Sequence, residues 1–222
     1  KYYALGFSMS VKEFYDHPTL AEQARLIDGT ALPANQGGRR DFPARLPAVH
    51  SAPPALKNVL VTGASGFLGE HLLFALLQRE DTRVICLSRA ENALAHVLER
   101  YRAYFGAAAE RSAAGRLEGY TARLAEERLG LPAGLYASLA ERVDTVFHCA
   151  ADVGHYGERA AFLRANLEAT KGIIAFAREA GAHLAHCSTL SVSGSHLTDD
   201  PERAVSFDED DLYIGQNIDN ND

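Results

Sequence analysis

Apolar positions in this chain fall into short runs separated by helical stripes. Leu60, Val61 and Thr62 are β-formers in a run too short for a helix, and Phe67, Leu68, Leu72, Leu73, Leu76 and Leu77 then recur at helical spacing. The pattern predicts a strand, a tight turn and a helix. Residues 83–87 form the next strand. From Ala90 to Phe105 a stripe of Leu94, Val97, Leu98, Tyr101, Tyr104 and Phe105 predicts a crossover helix with its aromatic edge in the core. Residues 107–115 are rich in alanine and fit either an extension of that helix or a mobile loop. A weak third strand is expected within 117–123. Val143, Val146 and Phe147 mark a buried fourth strand. Phe162, Leu163, Leu167, Ile173, Ile174 and Phe176 mark a long helix over 159–181, closed by Gly181 as its C-cap, and residues 182–187 supply a fifth strand. Strands alternating with helices predict an α/β fold, a doubly wound and mostly parallel sheet with right-handed crossovers.

The first 56 residues follow a different pattern. Residues 14–27 read as a helical turn, a break at Pro18, and a helix with Leu20, Ala24 and Ile27 on one face. Beyond Asp28 come Pro33, Pro43, Pro47, Pro53 and Pro54, the pair Gly37-Gly38 and the basic pair Arg39-Arg40, a composition that makes a semi-rigid linker. The expected organisation is a small helical unit over 1–28, a linker over 29–56 and an α/β domain over 57–222. A length of 222 residues accommodates one large domain with a small appendage.

Composition narrows the classes of function. A net charge of -7 offers no basic field to nucleic acid. No apolar stretch reaches membrane-span length and the first residues lack a signal-peptide pattern, so the chain reads as cytoplasmic. Cys86, Cys149 and Cys187 are odd in number and widely spaced, and are expected as small buried core residues.

Candidate chemistry gathers at the ends of the strands. Gly63, Gly66 and Gly69 lie where the first strand passes into the first helix. A dinucleotide site needs glycines there for the turn, for approach of backbone to a pyrophosphate, and for close packing of helix on strand. The helix N-terminus then faces the phosphates. Arg89 closes the second strand, roughly 20 residues on, where such a site meets the adenosine ribose. A guanidinium at that point suits a 2′-phosphate and favours NADP over NAD. Small Ala150 and Ala151, after the fourth strand, let a cofactor lie against backbone. His148 and His155 flank them and are expected to be packed or hydrogen-bonded. His183 and His186 have no carboxylate or cysteine at ligand spacing, and no metal is expected. Asn166 stands inside a predicted helix, where its side chain competes for backbone hydrogen bonds. The hydroxyls of 188–193 fit either a polar loop or the same crevice.

Taken together, residues 62–69, Ser88-Arg89, residues 148–151, Asn166 within 164–170 and residues 188–192 resemble the extended short-chain dehydrogenase/reductase superfamily. Residues 124–131 and 150–157 are similar in particular to the terminal thioester reductase domains of nonribosomal peptide synthetases and carboxylic acid reductases. Residues 6–14 and 17–20 resemble the last helices of a carrier domain. The resemblance implies a Rossmann-type fold binding NADPH, with Gly63, Ala64, Ser65, Gly66, Phe67, Leu68 and Gly69 around the pyrophosphate, Arg89 on the 2′-phosphate, and Ala150 and Ala151 beside the cofactor's middle. It implies that Thr189 is a catalytic hydroxyl and that Asn166 supports a catalytic lysine. The implied reaction is hydride transfer from NADPH to a carrier-bound acyl or peptidyl thioester, giving an aldehyde or alcohol, with the carrier's phosphopantetheinyl thioester and neighbouring synthetase domains as partners.

Two departures stand out. The family's Tyr-x-x-x-Lys pair does not follow Thr189, because Tyr213 is succeeded by Ile214, Gly215, Gln216 and Asn217, so the chain is expected to be an incomplete portion of the domain. Ala122-Arg123-Leu124 stands where the family has Gly-Asp-Leu, and an arginine cannot accept a hydrogen bond from the adenine amino group. The alternatives are a non-catalytic platform for neighbouring domains and a sugar-nucleotide epimerase or dehydrogenase of the same superfamily.

Overall fold

The computed structural model describes Arg25, residues 54–154 and 156–189, and Ser193, Ser206, Phe207, Asp211 and 214–216. The expected carrier-like segment and nearly all of the linker lie outside the described residues, as do His155 and Tyr213. The chain divides into two compact units, one of Ser51–Ser188 and one of Lys1–His50 with Thr189–Asp222. Described residues of the second unit include the buried Asp211 and Gln216. Every element below belongs to the first.

Five parallel strands make one sheet, β1 (Asn58–Thr62), β2 (Arg83–Ser88), β3 (Leu117–Thr121), β4 (Thr145–His148) and β5 (His183–His186), in the order β3-β2-β1-β4-β5. The helices are α1 (Phe67–Leu77), α2 (Ala93–Ala113), α3 (Ala133–Arg142), α4 (Arg159–Phe162) and α5 (Ala169–Ala180). Both faces of the sheet are covered, which is why β1 reads as an unbroken apolar run. Val59 and Val61 join Val84 and Cys86 against Leu73, Leu76, Val97 and Tyr101 of α1 and α2. The alternate positions, Leu60, Ile85, Leu87 and Val146, pack on Leu139, Ile173 and Phe176 of α3 and α5. Each such side chain contributes roughly 1.5–3 kcal/mol on burial. This is the doubly wound α/β architecture that the pattern predicts.

The aromatic edge of α2 is core only in part: Tyr101 is buried and Phe105 packs against the core, but Tyr104 is exposed. Phe105 stacks on Phe74 with ring centroids 4.4 Å apart and meets Tyr101 at 5.2 Å. Residues 107–113 continue the helix past a kink at Gly106, whose φ of 80° and ψ of 171° interrupt the helical geometry. The long helix expected over 159–181 departs from regularity in its middle. Residues 163–168 form a wider π-helical turn between α4 and α5, and Leu163, Leu167 and Ile174 remain exposed. Gly181 closes α5 in the left-handed conformation with φ 62°.

Arg128, Leu129 and Gly130 take φ values of 51°, 60° and 66°, a left-handed turn in which the first two carry a steric cost of about 1–2 kcal/mol each. Two anchors oppose that cost. Leu129 is buried, and its carbonyl accepts the Arg123 N–H at 2.8 Å.

Glu118 of β3 grips Arg142 at the end of α3 through two hydrogen bonds, at 2.7 and 2.5 Å, and also accepts from the Tyr120 hydroxyl at 2.7 Å. The Arg142 guanidinium holds the Glu118 carboxyl down at about 2. Because the folded value lies below the ordinary one near 4.5, the contact stabilises the domain fully above that pH and is lost as pH falls toward 2. The pair is partly solvated, so its contribution is on the order of 1 kcal/mol. Denaturant titration of Glu118→Gln should show a matching loss at pH 7 that vanishes near pH 2. A loss that persists there would mean that the charge is not what matters.

Candidate functional site

The site begins where β1 runs out. Gly63 has φ +70°, and a Cβ built on it would lie 2.7 Å from the Ala150 nitrogen and 2.8 Å from the Cys149 carbonyl carbon. The turn therefore leans directly on the backbone leaving β4. Gly66 donates to the Gly63 carbonyl at 3.0 Å and opens α1 in an extended conformation, with no side chain capping that helix end. A Cβ on Gly69 would sit 2.1 Å from the Gly63 oxygen, whereas one on Gly66 would meet only that oxygen, at 3.3 Å. Gly63 and Gly69 are thus packing glycines, and Gly66 keeps the helix end open.

Around this turn Ala64 is buried and Ser65 half-buried, while Phe67 and Leu68 are exposed. The first-turn N–H groups of α1 have no intrahelical partner by construction and form a donor cluster suited to an anion. Glu70 is wholly buried behind them. One of its oxygens binds Arg100 at 3.0 Å, and the other has no partner among the described residues.

Thr62 and His148 are register partners on β1 and β4. Their side chains share one sheet face and meet at 2.6 Å between Thr62 Oγ1 and His148 Nδ1. On the other side of the ring, His148 Nε2 lies 3.0 Å from Thr170 Oγ1. The direction of each bond follows from the ends of the chain. Thr170 donates its hydroxyl proton to the Asn166 carbonyl at 2.5 Å, so it accepts from His148, which carries its proton on Nε2. Nδ1 is then the acceptor for the Thr62 hydroxyl, and Thr62 accepts the Ala150 N–H at 3.3 Å. Burial, and secondarily His186, push His148 down to about 4, which keeps this neutral arrangement at neutral pH.

Asn166 lies in the π-helical turn, and its side chain makes a reciprocal pair with one peptide. Its Oδ1 accepts the Asp152 N–H at 2.7 Å and its Nδ2 donates to the Asp152 carbonyl at 2.9 Å. A continuous series of hydrogen bonds therefore runs from Ala150 through Thr62, His148 and Thr170 to Asn166 and back to Asp152. It fixes the chain around Ala150 and Ala151 beside the glycine turn, where the strand order reverses between β1 and β4. Ligands bind at such a switch point in open α/β sheets.

Arg89 follows β2 at the same carboxyl edge. It is exposed, with no hydrogen-bond or ion-pair partner among the described residues, and its loop is held by Thr121, which donates to the Ala90 and Glu91 carbonyls. Thr189 is exposed and is the first residue of the other unit's C-terminal segment. No cluster of three or more metal-ligating side chains occurs among the described residues, and none of the described helices is long and apolar enough to cross a membrane.

Residues 61–221 match the NAD_binding_4 family, described as male sterility protein. The chain belongs to that family. Among curated relatives it is similar to a linear gramicidin synthase of Brevibacillus parabrevis, 29% identical over 94% of this chain, and to an isonitrile lipopeptide synthase of Streptomyces coeruleorubidus, 34% identical over 61%. The chain spans only 4% and 9% of those two proteins. The terminal R domain of the myxalamid PKS-NRPS pathway superposes with a TM-score of 0.57 at 29% identity, over 68% of this chain and 38% of that one. A thiolation-reductase di-domain from an archaeal nonribosomal peptide synthetase, at 21% identity, shows the shared fold over 98% of this chain and 48% of its own, with a TM-score of 0.74. The first of these structures is a terminal reductase domain, and the second shows the same fold.

Within this NAD-binding family member, the structure brings together the glycine turn and Ala150, sets Arg89 on the same sheet edge, and joins Asn166 to Asp152. Asn166, which the resemblance implies supports a catalytic lysine, engages the Asp152 peptide with its side chain. His148 was expected to be packed or hydrogen-bonded, and it is both, but its two threonine partners were not named from the sequence. The available signal was a polar Thr ending β1 in register with a His ending β4. The cysteines need correction: Cys86 is core, but Cys149 is half-buried and Cys187 exposed.

Proposed function

We propose that this chain carries the NADPH-binding half of a thioester reductase domain, which reductively releases a carrier-bound acyl or peptidyl thioester as an aldehyde or alcohol. The observation that carries the reading is the α1 N-terminus beside Gly66, leaning through Gly63 on the Ala150 backbone, with Arg89 on the same edge, neither having a side-chain partner among the described residues. NADPH, when bound, supplies the hydride. Gly66 and the first-turn N–H groups would take the pyrophosphate, and Arg89 the 2′-phosphate. The His148 series holds Ala150 and Ala151 as a fixed wall, so the cofactor meets backbone that is already ordered. Thr189 would donate its hydroxyl to the thioester carbonyl, and Asn166 keeps the neighbouring loop in place. Residues 1–28 would be the end of a carrier domain and 29–56 the tether to it.

Calorimetric titration with NADPH and NADH tests the cofactor assignment. Selective NADPH binding is expected, with Arg89→Ala losing about 10- to 100-fold in NADPH affinity, as befits a charged hydrogen-bonded contact worth roughly 1.5–3 kcal/mol. NADH affinity should not change. Equal binding of both cofactors, or an Arg89→Ala variant indistinguishable from wild type, would overturn the 2′-phosphate assignment.

A further inference from the structure

Cys149 and Cys187 are 38 residues apart in sequence, and their sulfurs are 3.5 Å apart. The β4–β5 register explains the encounter. His148 pairs with His186, their rings stack at 5.1 Å, and the ladder continues one step further as the Cys187 N–H donates to the His148 carbonyl at 3.0 Å. Side chains alternate between faces, so the residues after the stacked histidines share the opposite face. Neighbouring parallel strands run about 4.8 Å apart, inside the Cα separation of roughly 4.4–6.8 Å that disulfides span. Two thiols thus stand directly opposite each other at the carboxyl edge of the sheet, and the bond can close with little movement of backbone.

We propose that Cys149 and Cys187 form a reversible thiol–disulfide site, oxidised by a low-molecular-weight disulfide such as oxidised glutathione. Cys187 is the exposed partner and meets the oxidant first. Its thiolate attacks one glutathione sulfur, forming a mixed disulfide and releasing the first glutathione thiolate. Cys149 then gives up its proton, attacks the Cys187 sulfur and expels the second glutathione. The two protein thiols lose two electrons and two protons in all, and oxidised glutathione becomes two reduced glutathiones. Burial and the hydrogen bond to Cys187 push the Cys149 thiol up to about 12, so Cys187 rather than Cys149 attacks first, and Cys149 resolves by virtue of its 3.5 Å proximity.

The site bears on the crevice because a Cβ at Gly63 would lie 2.8 Å from the Cys149 carbonyl carbon. Cross-linking would tie the wall against which the glycine turn leans to the end of β5. Cys86, fully buried with its thiol pushed up to about 12, is a built-in spectator.

The test exposes the protein to oxidised glutathione under native conditions, alkylates the remaining thiols, and maps disulfides by peptide mass spectrometry. Two of the three thiols should be lost, with a Cys149–Cys187 peptide pair that dithiothreitol restores and with Cys86 alkylated once the chain is unfolded. Cys149→Ser should stall with glutathione retained on Cys187. Retention of all three thiols, a mixed disulfide persisting on wild-type Cys187, or pairing between chains would each overturn the proposal.

Discussion

Replacing Gly69 with alanine is expected to destabilise the domain by about 3 kcal/mol or more, the upper range for forcing atoms into a packed interior. The new methyl would sit 2.1 Å from the Gly63 carbonyl oxygen, and that contact is with backbone. No rotamer can relieve it. Either α1 slides away from the turn, exposing Leu73, Leu76 and Leu77, or the turn itself deforms. A loss of that size lowers the melting temperature by about 6–12 °C in a protein of this length. The same substitution at Gly66 should behave in the opposite way. Gly66 has φ -89° and ψ 163°, which any residue adopts, and its Cβ would touch only one oxygen at 3.3 Å. Thermal stability should hold while the methyl keeps a pyrophosphate off the helix end, weakening NADPH binding at least about tenfold, as for one lost charged hydrogen bond. Circular-dichroism melts and calorimetry on the two variants separate packing from recognition. Equal melting temperatures for Gly69→Ala and wild type would refute the packing role, and undiminished binding by Gly66→Ala would refute the approach of the phosphate.

His148→Leu should cost about 2–3 kcal/mol at pH 7. The leucine fills the space but leaves the buried Thr62 donor without its ring partner, a loss worth roughly 1–3 kcal/mol, while the half-buried Thr170 loses one acceptor contact at smaller cost. The pH dependence provides a sharper signature. His148 is held near 4 when folded, below its ordinary 6.5. As pH falls through 6.5 the unfolded chain takes up the proton first, so the folded state loses stability down to about pH 4 and no further, at up to roughly 1.4 kcal/mol per pH unit. Denaturant titrations at pH 7 and 5 should show this fall in wild type and a smaller one in His148→Leu. The same fall in both would place the acid sensitivity elsewhere, with His148 a packing residue only.

The central strands were legible because burial on both faces writes itself into the sequence as short apolar runs, whereas β5, exposed at all four positions, was read as a strand without that signal. Even the weak third strand is present, shortened to Leu117–Thr121. The glycine turn was legible too, since glycines spaced three apart between a strand and a helix mark a place where backbone must come close to something. What resisted reading was contact between residues far apart in the chain. Asn166 could be flagged as odd in a helix, but its partner, the Asp152 peptide, and the π-helical widening around it depend on how α4 meets the loop after β4. The cysteines looked like core because each follows an apolar run. Only the register of β4 with β5 shows that two of them face each other. The left-handed turn at Arg128–Gly130 left a trace in one glycine, while Arg128 and Leu129 adopt that conformation because Leu129 is held in the core.

The central place of β1 in the strand order has a consequence for the order in which the molecule assembles. β1 pairs with β2, its neighbour in sequence, whereas the Thr62–His148 contact spans 86 residues. Closing a loop of that length costs entropy that is recovered only when β4 is seated. The glycine turn can form with β1 and α1 alone, but it has nothing to lean on until Cys149 and Ala150 arrive. Cofactor affinity would therefore appear late in refolding, as the kinetic signal that the two halves of the sheet have joined.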